Sequence, residues 1–206
     1  RSSEYSTRLA ETFKSEFTSL GGSVVLAEEY TGGQDKDFTP IINSIKQKSP
    51  HIIFMPGFYG EAGLLVNQAR MAGIDLPILG GDGWGTGPII EVAGKEALNN
   101  TYYLDHCVIS DPALADFAAA YKEEYKQDAD TFSVLGYDAA LLLLTAIEKA
   151  QSTDRENIRA ALESLKDFEG ISGIFSIDPE SHNPWKSGAV LKFVDGKKVF
   201  ASRIDP

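Results

Sequence analysis

The chain has 206 residues, 43% of them apolar and 24% charged, with a formal net charge of −11 at pH 7. These are ordinary globular proportions, and the surplus of acid argues against nucleic acid or an anionic membrane as a partner. A single cysteine, Cys107, excludes an intrachain disulfide framework and reads as a small core residue.

From the start of the chain, Leu9, Phe13, Phe17 and Leu20 recur at helical spacing, and Gly21-Gly22 supplies a stop. Val24–Ala27 reads as a buried strand and Thr31–Asp37 as a polar loop. Phe38, Ile41, Ile42 and Ile45 predict a second helix ending before Pro50. Ile52–Met55 predicts a strand, Gly60–Ala72 a helix with Gly73 beyond its end, and Ile78-Leu79 a further strand. A short helix over Pro88–Ala93 and a strand at Thr101–Leu104 follow. Strand and helix alternate every 25 to 30 residues or so, the period of βαβ units with right-handed crossovers on a parallel sheet. After about Ser110 the pattern changes to three successive helices, Pro112–Tyr125, Phe132–Ala150 and Arg155–Leu165, the last with Asp154 as its N-cap. A helical run after an alternating block suggests a second packing unit. The tail returns to β structure. Gly170–Ile177 predicts a strand, Asp178–Pro184 a turn region, and Val190–Val194 and Val199–Arg203 flank Asp195-Gly196 as a hairpin.

No uninterrupted apolar run reaches the roughly 18–20 residues of a membrane span; Ala139–Ile147 is too short. The chain carries no signal peptide, yet it opens at Arg1 without a methionine, which reads as a mature or truncated product.

The stretch around which function gathers is Ile78–Trp84, Ile-Leu-Gly-Gly-Asp-Gly-Trp. A short strand runs into glycines that surround one acid, Asp82, and one indole, Trp84. Loops after parallel strands are where ligands sit in open α/β sheets. On these residues alone, a turn with a solvated aspartate explains the stretch as well.

With the elements in order, the chain resembles the second half of a type I periplasmic solute-binding protein, in the branched-chain amino acid group that serves ABC importers. The resemblance is carried by Glu4-Tyr5-Ser6, Asp37-Phe38-Thr39 with Ile45-Lys46, and Pro56-Gly57-Phe58-Tyr59 with Glu61-Ala62. It continues through Gln68-Ala69-Arg70, Gly80-Gly81-Asp82-Gly83, Gly136-Tyr137-Asp138-Ala139, and Asp167-Phe168-Glu169-Gly170 with Gly173. Each motif is weak alone; their order and spacing make the signal specific.

The resemblance implies an α/β fold of the periplasmic-binding-protein type I class: a parallel sheet with flanking helices, one complete lobe plus part of a second. Residues 1–104 and 177–206 would form the second, C-terminal ligand-binding lobe. Residues 105–176 would supply hinge strands and helices of the first lobe, whose remainder is absent together with the loops that hold a ligand's α-carboxylate. It further implies a periplasmic or extracellular location, with a lipid anchor as an option in a longer precursor, a small-molecule ligand and an ABC permease as partners, and no catalysis.

Asp82 stands at the family's acidic position and would receive the ammonium of an amino acid. Tyr5 would approach that ammonium or wall the pocket, or else pack at a helix start. Of the neighbours Phe58 and Tyr59, one would face the cleft and one pack, with Phe58 preferred for the pocket. Trp84 would cap an apolar or aromatic ligand side chain, or stand at the rim. Phe132 would close the pocket from the hinge side, or belong to the core. Benzoate-like acids, amides and urea also occur as family ligands.

Enzyme signatures fail. His51, His106 and His182 lie far apart with no metal-ligand spacing, so neither a metal nor a cofactor is expected. There is no Gly-x-Ser-x-Gly and no Walker A sequence, and the glycines at 83, 85 and 87 miss the dinucleotide register because Pro88 takes the third position. Asn99-Asn100-Thr101 fits the glycosylation triplet, which has many chance matches. The function expected is the substrate-binding component of an amino acid importer that closes about a hinge. A ligand-sensing domain of a receptor or regulator with the same fold is the alternative, and an α/β enzyme a more distant one.

Overall fold

Apolar residues at helical spacing become helices, and most short apolar runs bounded by glycine or proline become strands, in residues 3–85 and 87–205, which the computed structural model describes. The chain divides into two compact units, Arg1–Leu104 with Val190–Ala201, and Asp105–Ala189 with Ser202–Pro206.

In the first unit α1 (Glu4–Ser19) opens on Ser3, whose hydroxyl accepts the Ser6 amide at 3.2 Å. There follow α2 (Thr39–Lys48), β1 (Ile53–Met55), α3 (Tyr59–Met71), β2 (Ile78–Gly80), a single 3-10 turn over Asp82–Trp84, α4 (Ile89–Ala93) and β3 (Thr101–Asp105). With β7 (Gly188–Val194) and β8 (Lys197–Ile204) the strands form a five-stranded sheet in the order β1-β2-β3-β7-β8. β1 and β2 run parallel with Ile53 opposite Ile78, and β2 and β3 run parallel with Ile78 opposite Thr101. The β7–β8 hairpin turns on Asp195 and Gly196, both at positive φ (50° and 75°), the geometry that matches the twist of the flanking strands.

Phe38, Val66, Ile78, Trp84, Leu98 and Phe193 are buried between the sheet and its helices. Burial of such side chains is worth about 1.5–3 kcal/mol each. Phe13 of α1 stacks on Phe54 of β1 with ring centroids 4.1 Å apart, which seats that helix at the sheet's edge. Two of the sequence motifs hold the fold. The Gln68 side chain accepts the Phe38 amide at 2.8 Å and donates to the Lys36 carbonyl at 2.7 Å, fixing the entry to α2. Arg70 donates to the carbonyls of Ile74 (2.6 Å), Leu76 (2.9 Å), Ala97 (3.2 Å) and Asn99 (3.1 Å), which ties the loops before β2 and β3 together.

The strand expected at Val24–Ala27 does not form. Residues 22–30 carry no regular secondary structure, and Val24 and Val25 are exposed. An apolar run becomes a strand only where a neighbour offers a hydrogen-bond ladder. β1 stands at the edge of its sheet and, among the described residues, pairs only with β2.

The second unit has the three expected helices: α5 (Ala115–Tyr125) after a 3-10 turn at Pro112–Leu114, α6 (Thr131–Ala150) and α7 (Arg155–Glu163). Asp154 caps α7 by accepting the Glu156 and Asn157 amides. α6 opens with a reciprocal cap, in which Asp130 accepts the Ser133 amide at 2.8 Å and the Ser133 hydroxyl accepts the Asp130 amide at 2.9 Å. Asp130→Ala should lower stability by about 1 kcal/mol, read as a shift of the urea midpoint at unchanged slope.

β4 (Phe168–Gly170), β5 (Gly173–Ile177) and β6 (Pro184–Lys186) form an antiparallel sheet in that order. The sequence read a single strand over Gly170–Ile177 and a turn region through Pro184; the chain instead makes a tight turn at Ile171-Ser172 and a third strand. Asp138 of α6 explains the turn: its buried carboxylate accepts the amides of Ile171 (2.7 Å) and Ser172 (3.0 Å) and the Ser172 hydroxyl. By length and composition alone α6 is apolar enough to cross a membrane, although Asp138, Glu148 and Lys149 interrupt its apolar residues. It packs against α7 around Ala146, Ala161 and Leu165 and carries the buried Asp138, while Leu143 and Leu144 are exposed.

Cys107 lies among Leu114 and Val134. Burial first, and the nearby Asp105 second, push its thiol up to about 11. Only thiolate reacts, so the folded protein should alkylate very slowly with iodoacetamide at pH 8 while the urea-unfolded chain labels readily. Equal rates by mass spectrometry would contradict this burial.

Candidate functional site

In the first unit, the loops after β1 and β2 both leave the carboxyl ends of parallel strands, the position where an open sheet leaves a crevice. Pro56-Gly57-Phe58 follows β1 and Gly81–Trp84 follows β2. Gly80 ends β2 without a side chain, and the space this leaves is filled by the Trp84 ring; any Cβ on Gly80 would collide with it. The 3-10 turn closes when the Gly81 carbonyl accepts the Trp84 amide at 3.1 Å and the Asp82 carbonyl accepts the Gly85 amide at 2.8 Å. That turn holds Asp82 at the end of the strand with its carboxylate partly exposed.

Tyr5 of α1 meets this loop. Its hydroxyl donates to Asp82 Oδ1 and accepts the Gly83 amide at 3.2 Å. One hydroxyl thus fixes both a carboxylate oxygen and the backbone beside it. The Tyr5 ring stacks on Phe58, with centroids 5.2 Å apart and planes at 29°. Phe58 is 43% exposed, whereas the ring of Tyr59 lies over Gly87 and packs on the α4 side of the unit. Of the two neighbours, Phe58 is the one that offers an open aromatic face beside the acid.

One expected residue is placed elsewhere. Trp84 has no exposed surface; its ring fills the space above Gly80, and its indole N–H donates to the Met55 carbonyl at 3.2 Å. In this arrangement it cannot cap a ligand. It supports the loop that carries Asp82 from below. Phe132, the second residue of α6 and 48% exposed, belongs to the second unit.

Tyr30 was not singled out from the sequence. Its hydroxyl packs against Gly57 and lies near the Ser6 side chain, its ring meets Phe38 edge-on at 5.7 Å, and burial, with Glu61 adding to it, raises its pKa. It links the start of α1 to the loop bearing Phe58. Its only sequence signal is an aromatic placed just before a polar loop.

Chemically, this corner presents one carboxylate oriented by a phenol, an aromatic wall formed by Tyr5 and Phe58, and a rigid buried floor. It suits a small cation with an apolar body. Among the described residues no group of His, Cys, Asp and Glu is arranged to hold a metal.

Residues 1–198 match the family described as "Periplasmic binding protein". The leucine-, isoleucine-, valine-, threonine- and alanine-binding protein of Pseudomonas aeruginosa is 28% identical over 175 residues, covering 85% of this chain and 46% of that protein. The crystal structure of the leucine-binding protein LivK from Thermotoga maritima superposes with a TM-score of 0.86 at 35% identity, covering 98% of this chain and 58% of that one. The branched-chain amino acid transporter substrate-binding protein LivJ from Streptococcus pneumoniae, solved in complex with isoleucine, gives 0.82 at 32% identity, covering 99% and 57%. The chain therefore spans about half the length of the relatives it matches. Nearly the whole sequence and both units take part in these matches, and this chain belongs to the type I periplasmic binding proteins, in the branched-chain amino acid receptor family.

Proposed function

We propose that this chain supplies one lobe, and part of another, of the extracytoplasmic substrate-binding component of an amino acid ABC importer. Its ligand is a free amino acid with an apolar side chain, and its protein partner is the membrane permease. No catalysis is asked of it. The observation that carries this reading is the Tyr5–Asp82–Gly83 arrangement beside Phe58. An ammonium group hydrogen-bonded to a carboxylate is worth about 1.5–3 kcal/mol, and an aromatic wall suits an aliphatic body. The names of the relatives point to the same ligand class.

In this reading Asp82 takes the ammonium, Tyr5 orients Asp82, and Phe58 with the Tyr5 ring lines the wall. Phe132 lies on the part that belongs to the other lobe. The relatives' additional length would hold the carboxylate. A ligand that bridges two lobes favours the closed state by its differential contacts. Micromolar binding, about −8 kcal/mol, spread over roughly nine heavy atoms stays below the ceiling of about −1.5 kcal/mol per atom.

The test is thermal denaturation of the two-lobed protein with each common amino acid, with small amides and benzoates as comparators. Saturation at 100 times Kd should add about 2.7 kcal/mol of stability. A panel without any shift from an amino acid would overturn the proposal, as would equal affinity of this chain alone and the two-lobed protein for the same ligand.

A further inference from the structure

The chain passes between its two units three times, at 104/105, 189/190 and 201/202. Within the second unit, the residues adjoining all three passages are joined by side-chain hydrogen bonds. Lys186, three residues before one passage, donates from Nζ to the carbonyl of His106 at 2.8 Å, just after another, and to the carbonyl of Ser172 at 2.6 Å. Arg203, just after the third, donates to the Ser187 hydroxyl at 3.2 Å. Both ends of this set are anchored on α6. Asp138 holds Ile171 and Ser172, while Asp105 accepts the Thr131 hydroxyl at 3.0 Å and the His106 amide at 2.8 Å. The charged and titratable groups around the Lys186 ammonium are Asp138, Asp105, Arg203 and Cys107. An ammonium that is half removed from water keeps its place only where carbonyls replace the lost hydration.

We propose that Lys186 is a positioning residue that fixes two of the three interunit passages, 104/105 and 189/190, in register on the second unit's side, by bridging the backbone after β3 to the β4–β5 turn that Asp138 holds. Bending between the units is thereby confined to residues outside this brace. The device involves no ligand and stands apart from the functional reading above.

Hydrogen exchange on the whole 206-residue chain, wild type against Lys186→Met and Lys186→Arg, tests it. Lys186→Met should speed exchange at least about tenfold in peptides covering 105–108, 171–173 and 186–189, the low end of the loss expected for one bond to a charged donor, while α3 and α7 keep wild-type rates. Lys186→Arg, with several donors, should restore part of the protection. Acceleration spread evenly over α3 and α7 would mean a general stability effect and overturn the proposal. So would unchanged exchange in those three peptides, or an arginine variant no better than methionine.

Discussion

Replacing Asp82 with alanine is expected to weaken amino acid binding to the two-lobed protein by roughly 2–5 kcal/mol, a loss of about 30-fold to several thousandfold, because it strands an ammonium in a closed cleft. The fold should survive. Asp82 sits on a turn closed by backbone bonds of Gly81, Trp84 and Gly85, which do not need its carboxylate. Asp82→Asn keeps the shape and removes the charge, so it should lose most of the same affinity. Tyr5→Phe deletes the donor to Asp82 and the acceptor of the Gly83 amide. It should cost less, about 1 kcal/mol, since the carboxylate remains. Isothermal titration separates these outcomes. Unchanged affinity in the alanine variant would remove Asp82 from the ligand's surroundings and with it the assignment of the site.

Trp84→Ala is expected to destabilise this chain by about 3–5 kcal/mol in urea unfolding. The indole is wholly buried, donates to the Met55 carbonyl and fills the space that Gly80 leaves. No small side chain can fill that volume, and the loop above it would settle into the cavity. The buried position and the expected capping role have opposite signatures. A core tryptophan loses stability whether or not ligand is present. A capping tryptophan would lose affinity for large apolar ligands with a stability change under about 1 kcal/mol. The second pattern would contradict the buried position.

The parallel order of the first three strands was legible from the alternation of apolar runs with helical stripes, and the final hairpin from Asp195-Gly196. Where sequence reading failed, the deciding partner lay far along the chain. Val24–Ala27 has the composition of a strand, yet strand formation depends on a neighbouring edge, and composition carries no information about that. The Ile171-Ser172 turn is set by Asp138, which reaches it from a helix more than thirty residues earlier. Trp84 follows a glycine-rich loop in which backbone direction, and so the way the ring turns, cannot be read from the residues; it is settled by the missing Cβ of Gly80. Phe58 and Tyr59 differ in exposure because only one of them finds Gly87 to pack on. The corner made of Tyr5, Phe58 and Asp82 was nameable only through the family resemblance, since 77 residues separate the phenol from the acid it contacts. Lys186 left no trace in any motif.

The most direct measurement compares an amino acid that stabilises the two-lobed protein with the same molecule lacking its amino group, for example leucine against 4-methylpentanoate, by titration calorimetry on wild type and Asp82→Ala. The account predicts tight binding only for the amino acid and only to the wild type, with the des-amino acid weak to both. Equal affinity for the two molecules in the wild type would contradict it.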